Sequence, residues 1–226
     1  MGIYFSPYNP GLTNRSSSTF ICTIKTPVIR AISQYYYMST DSYNALITNE
    51  TTLNLIENYQ MTAIRGNISE IKAIAKLTGV IDENNTAKGV DVNADDIITE
   101  ENLAANGEII KELAKKLNTT VLASGPIDIL SDGETTIAID NGDDMMPLIT
   151  GSGCMLSSIV GSCVGGSTPL EGTLVAILAM NLAGEKARAK VDEKDEGTGS
   201  FRTYLIDYLY KTNAESLVEE SNIMIL

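Results

Sequence analysis

The residues of this chain best suited to chemistry are Thr150-Gly151-Ser152-Gly153-Cys154-Met155-Leu156, a turn of small residues that runs into an apolar helical segment at Ile159 to Val164. Two glycines around a serine let successive backbone N–H groups converge on one point. A helix that starts there adds the positive end of its dipole, so the turn can seat an anion such as phosphate. The same residues would equally make a tight strand-to-helix connection, in which glycine is needed only for φ > 0 or close packing. Phosphate motifs of fixed spacing are excluded. A Walker loop needs a Gly-Lys pair, which does not occur, and Leu156 stands where a dinucleotide fingerprint has its third glycine. Cys154 cannot be the nucleophile of an imidazole-dependent triad, because the chain has no histidine.

Composition narrows the class of ligand. With 226 residues and 43% hydrophobic content the chain can bury the core of one α/β domain. Its net charge of -13, from 29 acids against 16 bases, repels nucleic acid and anionic membranes over most of the surface. A small anion such as a nucleotide would therefore need a local basic group and a metal ion. The three cysteines, Cys22, Cys154 and Cys163, fit a reducing cytoplasm better than a disulfide scaffold. The longest apolar run, Leu174 to Met180, is too short for a bilayer, and no leader opens the chain, so the expectation is a soluble cytoplasmic protein.

The elements that position these residues alternate in type. Residues 1–47 hold no sustained period of 2 or 3.6; short pieces at Thr19 to Ile24 and Pro27 to Ile32 are candidate strands within an irregular segment. From Thr48 onward a short helix around Thr51 to Asn58 precedes a buried strand, Met61 to Ile64, and then Arg65-Gly66-Asn67. Asn67 and Glu70 have capping-box spacing before a helix from Ile71 to Leu77 that Gly79 ends. On that reading Glu70 is a cap and Arg65 a strand end. Residues 80–99 are acidic and Asn-rich, a solvated excursion or, less simply, a cation site. A helix from Glu101 to Leu117 leads to a buried strand, Thr120 to Ala123, that ends at Ser124-Gly125-Pro126. Ile127 to Leu130 and Thr135 to Asp140 flank a hairpin turn, and Asn141-Gly142 is a second turn. Thr168-Pro169-Leu170-Glu171 starts a helix running from Leu174 to about Val191, and a last helix spans Tyr204 to Lys211. This alternation predicts an α/β fold, a mainly parallel sheet with helices on both faces and ligands at the carboxyl ends of its strands.

Three stretches taken together resemble one family: Ile64-Arg65-Gly66-Asn67-Ile68-Ser69-Glu70-Ile71, then Ser131-Asp132-Gly133 leading to Thr150 through Leu156, then Gly199-Ser200-Phe201-Arg202. In this order they resemble hydroxyethylthiazole kinases of the ribokinase-like superfamily, over roughly Thr48 to Thr212. The resemblance implies a three-layer ribokinase-like fold for 48–226. It also implies transfer of the ATP γ-phosphoryl group to the hydroxyl of 4-methyl-5-(2-hydroxyethyl)thiazole, with Mg²⁺, in a thiamine pathway and in a homotrimer with sites between subunits. Carried onto this chain, Cys154 takes the place of the aspartate base of other ribokinase-like enzymes. Arg65 and Ser124 fall on ATP-contacting positions, Gly151 on the glycine that contacts the thiazole alcohol, and Glu70 on an acid near the metal. The family's substrate-contacting methionine and its D-P-V-G-x-G segment have no counterpart in residues 1–47. The alternative expectation is therefore a chain that keeps nucleotide binding or an assembly role without turnover.

Overall fold

A computed structural model of the chain describes residues 52–81 and 98–226. The irregular segment expected at 1–47, with its two candidate strands, lies outside the described residues, as does most of the acidic excursion at 80–99.

Among the described residues five strands form one sheet in the order β1 (Ala63–Asn67), β2 (Thr120–Ser124), β3 (Asp128–Ser131), β4 (Thr136–Ile139) and β5 (Ile223–Ile225). Side chains alternate across each strand, and the two faces bury two separate cores. Ile64, Val121, Ala123, Ile129 and Ala138 pack against α2 (Ile68–Leu77) and α3 (Leu103–Leu117), with Leu55 and Ile56 of α1 (residues 52–58) beside them. Leu122, Leu130, Ile137 and Ile139 face the other way, onto α4 (Ser152–Val164), α5 (Pro169–Lys194) and α6 (Thr198–Lys211). The expected three layers are present.

The α/β class holds, but parallel pairing is confined to β1 and β2 among the described strands; β2–β3, β3–β4 and β4–β5 are antiparallel. Connection length decides this. β1 and β2 are joined through two helices, whereas Gly125-Pro126-Ile127 between β2 and β3 is too short for a crossover and forces the chain to turn back. The hairpin expected around Asp132-Gly133 is there, its turn held by Asp132 Oδ1 accepting from the N–H groups of Glu134 (3.0 Å) and Thr135 (2.8 Å). Two C-terminal elements lack a counterpart in the sequence reading: α7 (Ala214–Glu219), capped by Asn213, and the edge strand β5.

Helix boundaries follow their caps. Asn67 and Glu70 form the predicted reciprocal box at the start of α2, and Gly79 follows the C-cap Thr78 with φ of 68°. At α5 Thr168 accepts from the Glu171 N–H, with Pro169 in the first turn, so the helix begins a full turn before the apolar run at Leu174. Its buried stretch, Ala176 to Gly184, is the face that closes the second core.

Candidate functional site

β1 and β2 run side by side and end together, Asn67 opposite Ser124. Arg65, two residues before the end of β1, extends its guanidinium across this end toward the start of α4. Nη1 donates to the Gly153 carbonyl (3.0 Å) and to Ser157 Oγ (3.3 Å), while Nη2 donates to Ser124 Oγ (3.2 Å). Ser124 Oγ in turn donates to the Gly66 carbonyl at 3.2 Å. Nε is buried without a partner among the described residues. The cation is thus tied by neutral oxygens and makes no ion pair among the described residues. An anion placed there would meet an arginine already oriented and still short of negative charge.

The start of α4 supplies donors. Gly151 is its N-cap, with φ of 93°, a conformation that costs any residue with a Cβ; a Cβ there would meet nothing within 4 Å, so the demand for glycine is the backbone's alone. The first intrahelical bond runs from Met155 N–H to the Gly151 carbonyl (2.9 Å), and no side chain caps the turn. The N–H groups of Ser152, Gly153 and Cys154 precede that bond and make this end an anion seat. Cys154 carries an exposed free thiol.

A cavity of about 660 Å³ opens from this polar end. Arg65, Ser124, Ser152 and Gly153 line it on one side, and Leu156, Ile177, Met180 and Met146 give it an apolar wall. Its inner side is polar and buried. Asp128 Oδ1 accepts from Gly125 N–H (3.0 Å), and Asp128 Oδ2 accepts from Asn181 Nδ2 (2.6 Å). Burial pushes the Asp128 carboxyl up from 3.8 to about 6, against the pull of its hydrogen bonds from Asn181 and Gly125 and the charge of Arg65. Asn181 also donates to the Asn141 carbonyl (2.8 Å), and Glu185, one turn along α5, accepts from Gly142 N–H (2.8 Å) and Asn141 Nδ2 (3.0 Å).

Glu70 stands at the α2 side of Arg65. Its Oε2 accepts from Asn67 N–H (2.7 Å), completing the cap, and burial raises its carboxyl above the usual range despite that bond and the Arg65 charge. Gly66 makes room for this: a Cβ there would stand 2.9 Å from Glu70 Oε2.

The structure thus brings Arg65, Ser124 and the Gly151 to Cys154 turn together, with Arg65 bonded to Gly153 across 88 residues of chain. Glu70 is a helix cap here. Cys154 is on the same turn, but its exposed side chain is not part of the cavity lining. Cys163 packs against the second core. Asp128, Asn181, Asn141 and Glu185 escaped the sequence reading. A signal existed for two of them: Asp128 is an acid inside the apolar run Ile127 to Leu130, and Asn181 an amide inside Ala179 to Ala183.

A three-layer α/β fold with an arginine and a helix N-terminus converging at the ends of parallel strands is an arrangement with the charge and the donors to seat a small anion. The profile of the hydroxyethylthiazole kinase family matches residues 42–215. The chain is 69% identical over 180 residues to a hydroxyethylthiazole kinase of Methanobrevibacter smithii, covering 80% of this chain and 63% of that protein. It is 49% identical to hydroxyethylthiazole kinase 2 of Methanosphaera stadtmanae, over 76% of this chain and 61% of the other. The solved structure of a hydroxyethylthiazole kinase protein from Pyrococcus horikoshii OT3 superposes with a TM-score of 0.64 at 26% identity, covering 80% of this chain and 61% of that one. The chain belongs to the hydroxyethylthiazole kinase family. It spans about three-fifths of the length of the curated relatives it matches. No helix among the described residues is long and apolar enough to cross a membrane.

Proposed function

We propose that the chain serves ATP-dependent phosphorylation of the hydroxyl of 4-methyl-5-(2-hydroxyethyl)thiazole, a step toward thiamine. The observation that carries this reading is the convergence of Arg65, Ser124 and the α4 N-terminus on one cavity; Arg65 and the α4 turn belong to stretches on which the family resemblance rests, and Ser124 bonds directly to Arg65.

Phosphoryl transfer asks a protein mainly for positioning and charge stabilisation. The N–H groups at Ser152 to Cys154 face the transferring oxygens, and Arg65, held by Gly153 and Ser124, offsets their charge. The alcohol oxygen attacks the γ-phosphorus, the bond to the bridging β-oxygen breaks, and Cys154 orients the hydroxyl or receives its proton. Gly151 supplies its backbone to the alcohol. Among the described residues no cluster of three acidic, cysteine or histidine groups could hold a metal ion. A Mg²⁺ ion carried by ATP needs only one or two protein carboxylates beside phosphate and water. Glu70, with Oε2 taken by the cap, fits that lesser role, and the ion would neutralise phosphate charge. The reading places the protein in the cytoplasm as a homotrimer.

The test is thiazole-dependent ADP release by the chain at saturating Mg-ATP, with Cys154→Ala beside it. Release in the parent, and a variant that loses turnover while keeping its nucleotide affinity, is the expected result. Release that ignores the thiazole alcohol, or a Cys154→Ala variant as fast as its parent, would reject the assignment.

A further inference from the structure

The cavity has two walls that no main-chain pairing joins: the Ser124–Gly125 turn after β2, and the 141–147 loop after β4. One side chain bridges them. Asn181 is buried in the middle of α5, and its side-chain nitrogen donates both to Asp128 Oδ2 (2.6 Å) and to the Asn141 carbonyl (2.8 Å), which exhausts its two hydrogens. The other oxygen of Asp128 accepts from Gly125 N–H at 3.0 Å, next to the serine that holds Arg65. From the loop side, Asn141 and Gly142 are tied to Glu185, and Asn141 Oδ1 accepts from Asn222 N–H (2.7 Å).

We propose that Asn181 is a positioning residue of the cavity, joining the Gly125 turn to the 141–147 loop by donating at once to the Asp128 carboxylate and the Asn141 carbonyl. That the spacing serves a nucleotide rests on the functional reading above; the bridge itself does not.

The bridge is a switch as well as a strut. Asp128 accepts on both oxygens, so a proton on Oδ2 would take a lone pair beside the Asn181 donor, and a proton on Oδ1 one beside Gly125 N–H, and either would remove the charge that strengthens both bonds. Protonation therefore weakens the bridge. With the carboxyl pushed up to about 6 by burial, this happens just below neutral pH. The charge acting on Asp128 is that of Arg65 on β1; Asp143 and Asp144 on the loop line the same cavity, and Glu185 lies one turn along α5. α3 packs on the opposite face of β3, because Asp128 shares its face with Leu130.

The experiment follows the Gly125 and Gly142 amide resonances of the full chain from pH 8 to 5, together with affinity for Mg-ATP, in the parent and in Asn181→Leu. In the parent both amides should titrate with one midpoint near 6, and nucleotide affinity should fall about tenfold in step. In Asn181→Leu the Gly125 midpoint should rise by about one pH unit, since a hydrogen bond favouring the carboxylate is gone. The Gly142 resonance should then no longer follow it. A residue that merely stabilised the fold would lower the melting temperature and leave the midpoint and its coupling unchanged. Amides that titrate independently in the parent, a measurement that needs no variant, overturn the bridge. Coupled amides in a chain that binds no nucleotide at any pH would uphold the bridge and reject the functional reading instead.

Discussion

The two ends of the cavity differ in how completely their polar groups are satisfied. At the β1–β2–α4 end, among the described residues, Arg65 Nε has no partner, the guanidinium meets only neutral oxygens, and the first N–H groups of α4 have no side-chain cap. At the α5 end, both oxygens of Asp128 and both hydrogens of Asn181 are used, and Asn141 is held through its side chain and its carbonyl. Unsatisfied donors cost stability unless something negative arrives; a closed network gains nothing from a ligand and resists deformation. One end is built to receive, the other to hold the first in place. Substitutions at the two ends should accordingly change different measurements.

The largest expected effect belongs to the closed end and appears in stability rather than binding. Asp128 is raised from 3.8 to about 6 on folding, so the folded state holds its proton more tightly than the unfolded one. The contribution is fully present below the unfolded value and is lost as pH rises through about 6, roughly 3 kcal/mol over that window at 1.36 kcal/mol per unit. The Asp128→Asn variant lacks this titration. Its stability relative to the parent, measured by denaturant unfolding between pH 4.5 and 7, should therefore climb as pH rises. A difference that is flat with pH would mean that the carboxylate is better solvated than its surroundings imply.

The next two effects belong to the open end. Arg65→Lys keeps the charge but cannot reach Gly153 and Ser124 together, because an ammonium lacks the fork. Nucleotide affinity should fall by about 10- to 100-fold, the equivalent of roughly 1.5–3 kcal/mol for hydrogen bonds to a charged group, while the Asp128 titration persists. An affinity within twofold of the parent would place the ligand elsewhere. Gly151→Ala should cost about 1–2 kcal/mol of stability through its positive φ alone, since nothing stands within 4 Å of the added carbon. Thermal unfolding measures it, and a neutral outcome would show that the turn can relax out of this conformation.

The open end was legible in the chain and the closed end was not, for a physical reason. An anion seat is made by consecutive residues, so Gly151-Ser152-Gly153 announces itself. Likewise Asn67 and Glu70 show their cap because the helix repeat fixes a spacing of three. The Asp128–Asn181 bond joins residues 53 apart, and nothing in the spacing of either one names the other. Their only local sign is that each interrupts an apolar run, which marks a polar group needing a partner without saying where the partner is. The antiparallel return after β2 is hidden for a related reason: β-strand and helix alternate through Ser124, and nothing in Gly125-Pro126-Ile127 alone tells a strand end from a tight return. β5 was missed because its three residues are exposed and apolar, with no alternation to mark them as a strand; the pairing with β4 decides it.

The smallest effect tests where the two ends meet. Ser124 Oγ accepts from Arg65 Nη2 and donates to the Gly66 carbonyl, both at 3.2 Å, a length at the weak end of the range for hydroxyl bonds. The residue is half-buried and lines the cavity, so water can replace a lost partner on either side. Ser124→Ala should then cost only about 0.5–1 kcal/mol of stability and a few-fold in nucleotide affinity, the net value of an ordinary hydrogen bond rather than the penalty for a stranded one. Ser124→Thr keeps the hydroxyl and adds a β-branched methyl at a strand end, where such side chains fit, and should match the parent in both measurements. If Ser124→Ala instead costs as much affinity as Arg65→Lys, the arginine depends on this one hydroxyl for its orientation, and the open end is less pre-organised than its four contacts suggest. If Ser124→Thr is the damaging variant, the cavity is filled tightly at this point by the ligand itself, and the serine is there for its size.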